Sequence, residues 1–372
     1  MIRVLVVFLS LVSAALGQSF SDPEDGALDM SEFIIDYKGF LPVPLIITEP
    51  AVGYGGGLGL MFVRNSLRER KAESEGGYVA PPDVFGAVFA ATENGTKLAA
   101  AGGMITFGEH EEWRYRGGIA RVDANLDFYG TGSDLGTGDR SIGFNLDGWA
   151  SSQQFLRRIG NTSHFVALRW IYLDLTSTFD PTRPQPAAAL RQRELRSSGV
   201  GPSLEHDSRD NIFTPSRGTH AALDALFYSP EIGGDDKFQT YRAHVFHFMP
   251  IGGVLVLGSR LDARAARGEV PFYQLPFIDL RGVPKGRYQD KTVSAVEAEL
   301  RWAVTPRWSL VGFGGGGKAW GGETFSEANA VFAGGVGMRY LIARRLGIHM
   351  GIDIARGPEE TAFYIQVGSA WR

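Results

Sequence analysis

The feature that most constrains this chain is a two-residue alternation of apolar and polar side chains, which recurs in stretches of about ten residues, the length of a barrel strand. Between Thr292 and Val304 one set of alternate positions is apolar and the other is charged. The apolar set is Val296, Ala298, Leu300, Trp302 and Val304, and the charged set is Glu297, Glu299 and Arg301. Successive side chains of a β-strand point to opposite faces. Each stretch therefore predicts a strand with one apolar face and one polar face.

Fifteen such segments follow one another, with turn residues between them and without helical periodicity. They are 54–65, 83–92, 95–107, 112–123, 140–156, 162–178, 195–206, 216–228, 238–250, 252–265, 291–303, 307–319, 328–341, 345–355 and 361–372. Bacterial single-chain barrels have even strand numbers, so one strand is missing, and the poorly bounded region 112–178 is where we expect it. The prediction is an all-β fold, a transmembrane antiparallel β-barrel of 16 strands, with 14 or 12 as alternatives.

Alternation in a single strand also fits a soluble β-sandwich, whose apolar face would be its core. The number and length of the segments favour the barrel, because a sheet in lipid must close to pair all its backbone groups. In a membrane barrel the apolar face meets lipid and the charged face meets the lumen. We therefore expect Leu300, Trp302, Ile365 and Val367 to face lipid.

The amino terminus predicts export from the cytoplasm. Arg3 precedes an apolar run, and small residues at Ala15 and Gly17 fit cleavage before Gln18, as in a secretory signal peptide. The predicted organisation is a signal peptide at 1–17, a short N-terminal segment at 18–49 and an outer-membrane β-barrel at 50–372. The expected location is the bacterial outer membrane.

Composition removes several classes of function. The chain has no cysteine, which excludes disulfides and thiolate metal sites. Its net charge of −4 gives no electrostatic footprint for nucleic acid. A soluble periplasmic protein is the remaining alternative for an exported chain of this kind.

The connections between the segments suggest an orientation. Those at 66–83, 179–196 and 266–291 are long and polar, whereas those at 154–163, 207–218 and 249–253 are shorter. Outer-membrane barrels place long loops outside and short turns in the periplasm. Six tryptophans near segment ends fit an interfacial girdle, namely Trp113, Trp149, Trp302, Trp308, Trp320 and Trp371.

Catalysis is not expected from the polar residues. His220, Asp224, Arg242 and His244 are predicted to face inward from two adjacent strands, where a catalytic cluster is conceivable. Charged and polar residues line barrels by default, so a solvated wall is the preferred interpretation. The prediction is that the protein is no enzyme and has no catalytic residue, no cofactor and no metal.

The glycine-rich stretch Gly53–Gly59 lacks the lysine and the helix of a phosphate loop. It is interpreted as a flexible first strand. We expect it to weaken the junction between the first and last strands, because glycine leaves few side chains to pack.

Three stretches together resemble a known family. GPSLEHDSRDNIFTPSRG (residues 201–218) is similar to a strand–turn–strand signature, and DIARGPEETAFYIQVG (residues 353–368) to a closing hairpin. Leu280, Arg281 and Gly282 resemble a (Val/Ile/Leu)-Arg-Gly-aromatic motif in a long loop before the last five strands. The family is the BamA/TamA superfamily, also called the bacterial surface antigen family, and the resemblance covers roughly residues 45–372.

The resemblance implies that the long loop folds into the lumen, where Arg281 docks on the inner wall. Glu299 matches the family's docking glutamate on the next strand. The family's second acidic partner, an aspartate, falls at Gly315, so the resemblance implies that one partner is missing here. An ordinary surface loop, with its cations facing lipid phosphates, is the alternative from the residues alone.

The resemblance leaves three functions open. Family members that assemble or move proteins carry periplasmic POTRA domains, for which residues 18–49 are too few, so we expect a barrel-only member. One function is assistance in assembling or translocating outer-membrane proteins, with a possible periplasmic partner protein. The alternatives are a passive channel and a structural surface-antigen barrel. Outer-membrane lipid and lipopolysaccharide are expected partners, and nucleic acid is not.

Overall fold

The chain forms a sixteen-stranded antiparallel sheet, in a computed structural model that describes residues 20–64, 83–131, 141–179, 193–322 and 324–371. The strands of these residues are β1 (Gly39–Ile47), β2 (Gly55–Val63), β3 (Val84–Thr92), β4 (Lys97–Phe107), β5 (Trp113–Phe128), β6 (Ile142–Arg158), β7 (His164–Phe179), β8 (Arg193–Asp207), β9 (Gly218–Tyr228), β10 (Phe238–Ile251), β11 (Leu255–Gly268), β12 (Thr292–Ala303), β13 (Trp308–Trp320), β14 (Val331–Ala343), β15 (Ile348–Arg356) and β16 (Thr361–Val367). Each pairs with its sequence neighbours, and the sheet curls into a nearly closed barrel. The prediction of a 16-stranded antiparallel barrel is confirmed.

Helical structure is scarce. One short helix, α1 (Ser31–Asp36), precedes β1, and single 3₁₀ turns lie at Pro230–Ile232, Phe272–Gln274 and Arg344–Leu346. Among the described residues, no helix is long and apolar enough to cross a membrane. The predicted signal peptide, residues 1–17, lies outside the described residues.

The strand that the sequence pattern missed is β1, so the prediction that it lies within 112–178 is wrong. That region holds β5, β6 and β7, one for each predicted segment. β1 has the sequence GFLPVPLII, and its prolines argue against a strand wherever the ladder needs their N–H groups. The barrel therefore starts at Gly39, ahead of the predicted start at residue 50.

The two faces of the sheet follow the alternation. Leu300, Trp302 and Val367 are 41–49% exposed on the outer face, and Ile365 shares that face. Charged residues of the same strands point inward; Glu297, for example, is 5% exposed. The chain thus turns its apolar positions outward and its charges inward on β12.

Connections alternate between the two edges of the barrel, because consecutive strands run in opposite directions. We call the edge at which β1 starts the near edge and the opposite one the far edge. The connection at 269–291 lies at the far edge, where β7 also ends at Phe179 and β8 begins at Arg193. Residues 65–82 are outside the described part, but Arg64 N donates to Asp83 O (3.0 Å) at the near edge. The prediction that all three long connections share one side is therefore wrong for 66–83.

The sheet does not close by a ladder between its first and last strands. Within the described residues β16 pairs with β15, and no ladder joins it to β1. We call this gap the seam. The β1–β2 ladder is unbroken across Pro42 and Pro44, although proline has no N–H to donate. Both proline nitrogens must therefore point toward the seam. The edge of β1 that faces the seam thus lacks two backbone N–H donors. The prediction that Gly53–Gly59 forms the first strand and weakens this junction is wrong, because Gly55–Gly59 lie in β2, which pairs with β1 and β3 inside the sheet.

The chain end turns into the lumen. Gly368, with φ +82°, ends β16, and a Cβ there would lie 2.6 Å from Phe213 O. Beyond it Trp371 packs against the inward-facing Phe246 and Phe248 and is 4% exposed. The prediction that Trp371 belongs to an outer aromatic girdle is therefore wrong. We call residues 368–371 the C-terminal tail.

The segment before β1 is fixed at the near edge. Arg307, in the β12–β13 turn, forms ion pairs with Asp25 (2.7 Å) and Asp29 (2.6 Å), and a further one with Asp22. Carboxylates spaced along residues 20–30 thus hold the N-terminal segment, residues 20–38, against a turn that lies far along the chain.

Candidate functional site

The β11–β12 connection, residues 269–291, packs on the inner wall of the barrel; we call it the docked loop. Its apolar side chains Ile278, Leu280, Val283 and Tyr288 are buried. They pack against the buried residues Val293, Ala295, Ala319 and Val331 of β12, β13 and β14. On β12 these residues share a face with Glu297 and lie opposite the exposed Val296, which places the loop inside.

Arg281 is the polar centre of the docked loop. Its Nε lies 2.9 Å from Glu297 Oε1, and its Nη1 lies 2.7 Å from Glu299 Oε2 and 2.9 Å from Asp353 Oδ2. Its guanidinium also stacks on Phe313, with Cζ 3.5 Å from the ring centroid. A buried guanidinium requires such compensation, because an unpaired buried charge is costly.

The same carboxylates hold other groups of the wall. Asp353, fully buried, also receives Arg339 Nη1 at 2.5 Å and Nη2 at 2.9 Å. Glu297 Oε2 accepts a hydrogen bond from Trp371 Nε1 (2.7 Å). The cluster therefore joins the docked loop, three strands and the C-terminal tail.

Gly282 allows the loop to approach the wall. Its φ is +93°, and a Cβ there would lie 3.0 Å from Arg356 C and Gly357 N in the β15–β16 hairpin. Its N–H donates to Tyr364 Oη at 2.9 Å. Any other residue would combine backbone strain with a tight contact between its Cβ and this backbone.

The structure brings together the sequence-predicted residues Leu280, Arg281, Gly282 and Glu299. The expectation that Gly315 leaves Arg281 one acidic partner short is wrong, because Glu297 and Asp353 contact it as well. Gly315 lies opposite Glu297, and a Cβ there would be 3.0 Å from Glu297 Cα. The glycine thus leaves room for the glutamate.

Sequence reasoning missed two of the three acidic partners. Glu297 lies on the inward face by the same alternation as Glu299, so that signal was available. Asp353 comes from β15, and no local pattern ties it to a loop 72 residues earlier in the chain.

The docked loop also reaches both sides of the seam at the far edge. Arg287 Nε lies 3.3 Å from Glu359 Oε1 in the β15–β16 hairpin, and Tyr288 donates to the same carboxylate. Lys285 Nζ lies 3.7 Å from Glu49 Oε2 in the β1–β2 connection. The contact with Glu359 is partly buried, whereas that with Glu49 is mostly exposed.

The predicted residues His220 and Asp224 lie on the inward face of β9, and Arg242 and His244 lie on that of β10. Glu205 and Asp207 of β8, which were not predicted, lie beside His220. Glu205, Asp207 and His220 form one group with metal-type ligand atoms. Glu205 is paired with Arg116 at 2.5 Å and Asp207 with Arg209 at 2.7 Å. Arginines therefore already serve as counter-ions for these carboxylates, which fits a charged lumen wall.

Comparisons with known proteins identify the fold. No family model and no curated protein matches the chain. Among solved structures, BamA from Haemophilus ducreyi lacking POTRA domains 1–3 matches with a TM-score of 0.60 at 10% identity, covering 89% of this chain and 70% of that one. CdiB from Escherichia coli matches with a TM-score of 0.57 at 11% identity, covering 88% of this chain and 61% of that one.

CdiB from Acinetobacter baumannii matches in the same way, with a TM-score of 0.55 at 9% identity, covering 88% of this chain and 59% of that one. The chain thus spans about three fifths of the CdiB chains. The protein has the barrel fold of BamA and CdiB, and the resemblance to the BamA/TamA superfamily is confirmed at the level of fold.

Proposed function

We propose that this protein is an integral barrel of the bacterial outer membrane that lets another polypeptide enter or cross the membrane at the seam between β1 and β16. The observation that carries the proposal is the seam itself. β1 offers no donor at Pro42 or Pro44 toward it, and β16 has only seven residues before the tail turns inward. Separating β1 from β16 costs few hydrogen bonds, so an incoming strand can pair there.

The orientation follows from the edges. The near edge, with the N-terminal segment and the short turns, is assigned to the periplasm, and the far edge to the outside. A chain delivered from the periplasm then meets the seam beside the N-terminal segment. A periplasmic partner protein that delivers it is part of the proposal, as are lipid and lipopolysaccharide around the outer face. No reaction chemistry is assigned to the protein.

A passive channel is the second candidate, and the docked loop argues against it. Residues 277–289 and the C-terminal tail occupy the lumen beside β10–β15. Open water-filled barrels keep their interiors polar and unobstructed. A purely structural barrel would need neither the inward tail nor the donor-poor seam.

The test is a disulfide across the seam in the otherwise cysteine-free chain. Leu41 and Val43 of β1 are each replaced by cysteine together with Tyr364 or Gln366 of β16, which scans the unknown register. Oxidation in the native host should stop the accumulation of dependent outer-membrane or secreted proteins, and reduction should restore it.

The matched control is a disulfide within an existing ladder, Phe40→Cys with Phe62→Cys, since these residues are partners in β1 and β2. Oxidising it should have no effect. If a fully formed seam disulfide leaves the outer-membrane and secreted proteomes unchanged, the proposal is wrong. Single-channel conductance of the reduced protein in planar bilayers would then distinguish a passive channel from a structural barrel.

A further inference from the structure

The inner wall on the N-terminal side of the barrel is apolar, unlike the interior of an ordinary outer-membrane barrel. Residues that pair across adjacent strands form rows around this wall at one height of the barrel, which we call rungs. Two neighbouring rungs are apolar. The upper rung is Val43, Gly59, Val88, Ala100, Ala120 and Ala150. The rung below it, toward the near edge, is Met61, Gly86, Gly102, Gly118, Ser152 and Ile171.

The direction of these side chains follows from the register. Ala150 pairs with Leu173, which pairs with Ser197. Ser197 is buried and contacts Tyr273 Oη (3.0 Å) of the docked loop, so the upper rung faces the lumen. The intervening residues face outward, as the 59% exposure of Phe89 shows.

The small side chains of both rungs leave a cavity of about 600 Å³ against the wall. This volume is typical of small-molecule sites, which span about 300–1,000 Å³. Within the described residues its lining contains no charged side chain. Water in such a cavity makes few hydrogen bonds, so an alkyl chain would replace it favourably.

The next rung toward the near edge is charged. Met104, Arg116, Gln154 and Arg169 are partners there, about 7 Å from the rung above. Arg116 Nε donates to Gln154 Oε1 at 2.7 Å, and Arg169 Nη2 donates to the same oxygen at 3.3 Å.

Both guanidiniums also face carboxylates. Arg116 is paired with Glu205 at 2.5 Å and Arg169 with Asp224 at 3.4 Å. Their side chains are still 37% and 27% exposed to the lumen. Each guanidinium has five N–H donors, and the contacts above use only some of them.

We propose that this wall binds a single-chain anionic amphiphile of the fatty-acid type. The alkyl chain lies along the two small rungs, and the carboxylate meets Arg116 and Arg169. Glu205 and Asp224 balance the charge of these arginines, so the head group is bound through the unused guanidinium N–H donors. The apolar strip with these donors at one end fits a ligand with one tail and one anionic, hydrogen-bond-accepting head. The site borders the seam only at Val43 of β1, and its binding is measured without any transport activity.

The connection at 65–82 is by its composition a poor occupant of this wall. Residues 65–82, which start at the near edge, carry the charged residues Arg68, Glu69, Arg70, Lys71, Glu73 and Glu75. Burying such charges against alanine and glycine would be costly.

The experiment uses the full chain in phosphatidylcholine nanodiscs with dansylaminoundecanoic acid as the fluorescent probe and empty discs as the blank. The wild-type protein should give a saturable blue-shifted signal that palmitate displaces. Ala100→Phe, which fills the upper rung, should weaken binding at least about tenfold, equivalent to ~1.4 kcal/mol. Ala99→Phe, its outward-facing neighbour, should bind as the wild type does.

The head group is tested with Arg169→Gln. This variant should weaken displacement by palmitate about tenfold, because a charge-assisted hydrogen bond is lost, and should leave displacement by hexadecanol unchanged. Equal weakening by Ala100→Phe and Ala99→Phe, or a signal no larger than that of empty discs, would overturn the proposal. A variant with 65–82 replaced by a glycine–serine linker tests self-occupancy, and a tenfold gain in its affinity would also overturn it.

Discussion

The inner wall has two halves of opposite character. On β10–β15 the inward positions carry buried charges, exemplified by Arg260, Asp262 and Asp353, and the docked loop lies against them. On β1–β4 the inward positions are glycine, alanine and other apolar residues, apart from Thr92 and Thr106 near the strand ends, and no described segment of the chain packs there. The loop thus docks where charges can fix its position, and the apolar half stays open.

The two halves of the inner wall differ in the kind of group that they can bind. Charged groups specify a single position, because bidentate arginine–carboxylate contacts tolerate little displacement. Small apolar side chains exclude water but do not fix the position of a bound group. One half therefore binds a fixed part of the chain itself, and the other suits a mobile ligand.

The largest expected effect comes from removing the charge that fixes the loop. Arg281→Ala leaves Glu297, Glu299 and Asp353 without a shared partner. We expect a loss of ~3–5 kcal/mol, as for breaking a buried ion pair, seen as a lower temperature of heat modification on unboiled gels. Lys285→Ala removes a mostly exposed pair and should change stability by under ~1 kcal/mol. Equal effects would mean that the loop is not fixed by Arg281.

The outer faces of the two halves should behave alike, although their inner faces differ. Val296 and Phe89 are 54% and 59% exposed in the middle of β12 and β3. Val296→Arg and Phe89→Arg should each cost ~2–4 kcal/mol at mid-bilayer, measured by urea titration in lipid vesicles. Lys318→Arg keeps an existing outward cation and should be neutral. Tolerance of Phe89→Arg alone would show that the outside of the apolar half is not in lipid.

The seam between the halves can be tightened. Pro42→Ala with Pro44→Ala adds two N–H donors facing β16. The net gain should be about 1 kcal/mol, because new hydrogen bonds are offset by the greater freedom of the unfolded chain. Hydrogen exchange of residues 361–367 should slow. Unchanged exchange there would show that the missing donors do not limit pairing at the seam.

The smallest expected effect is that of low pH on the attachment of the N-terminal segment. Hydrogen bonds from Arg307 hold the pKa of Asp25 below its usual range. A carboxylate whose folded-state pKa is lowered stabilises the fold above its ordinary pKa of about 3.9 and loses that contribution as pH falls through the lowered value.

Protease cleavage within residues 20–38 should therefore rise below about pH 4, while the barrel itself stays folded. Arg307→Gln should give the same cleavage at neutral pH. Resistance of that variant at neutral pH would assign the anchoring of the segment to its apolar contacts instead.

Alternation predicted most of the barrel because each strand has one face in each of two environments. It failed at β1, where Pro42 and Pro44 are admissible only because their nitrogens point at an unpaired edge. Whether an edge of β1 is unpaired depends on the whole sheet and cannot be predicted from the sequence of β1 alone. It failed again at Trp371, because the backbone turns at Gly368 and the alternation that places Phe363 and Val367 outside ends there.

The candidate site was predictable in part for a similar reason. Arg281 and Glu299 were identified from the resemblance to the family, Arg281 by its loop motif and Glu299 by the family's docking glutamate. Asp353 was not, because its contact depends on the curvature that brings β15 over the loop. Glycine at position 315, where the family has an aspartate, was interpreted as the loss of an acidic partner. The missing side chain instead leaves the space that Glu297 occupies.

The contacts around Arg281 also constrain the order in which parts of the barrel can assemble. Asp353 comes from β15 and Trp371 from the C-terminal tail, and both are needed to complete the contacts around Arg281 and Glu297. Segments nearer the N-terminus emerge first during synthesis, so the loop cannot complete these contacts until β15 and Trp371 have been made. The Arg281–Asp353 contact therefore reports that the polypeptide has been made through β15, and a chain truncated before β15 would leave Arg281 with Glu297 and Glu299 alone.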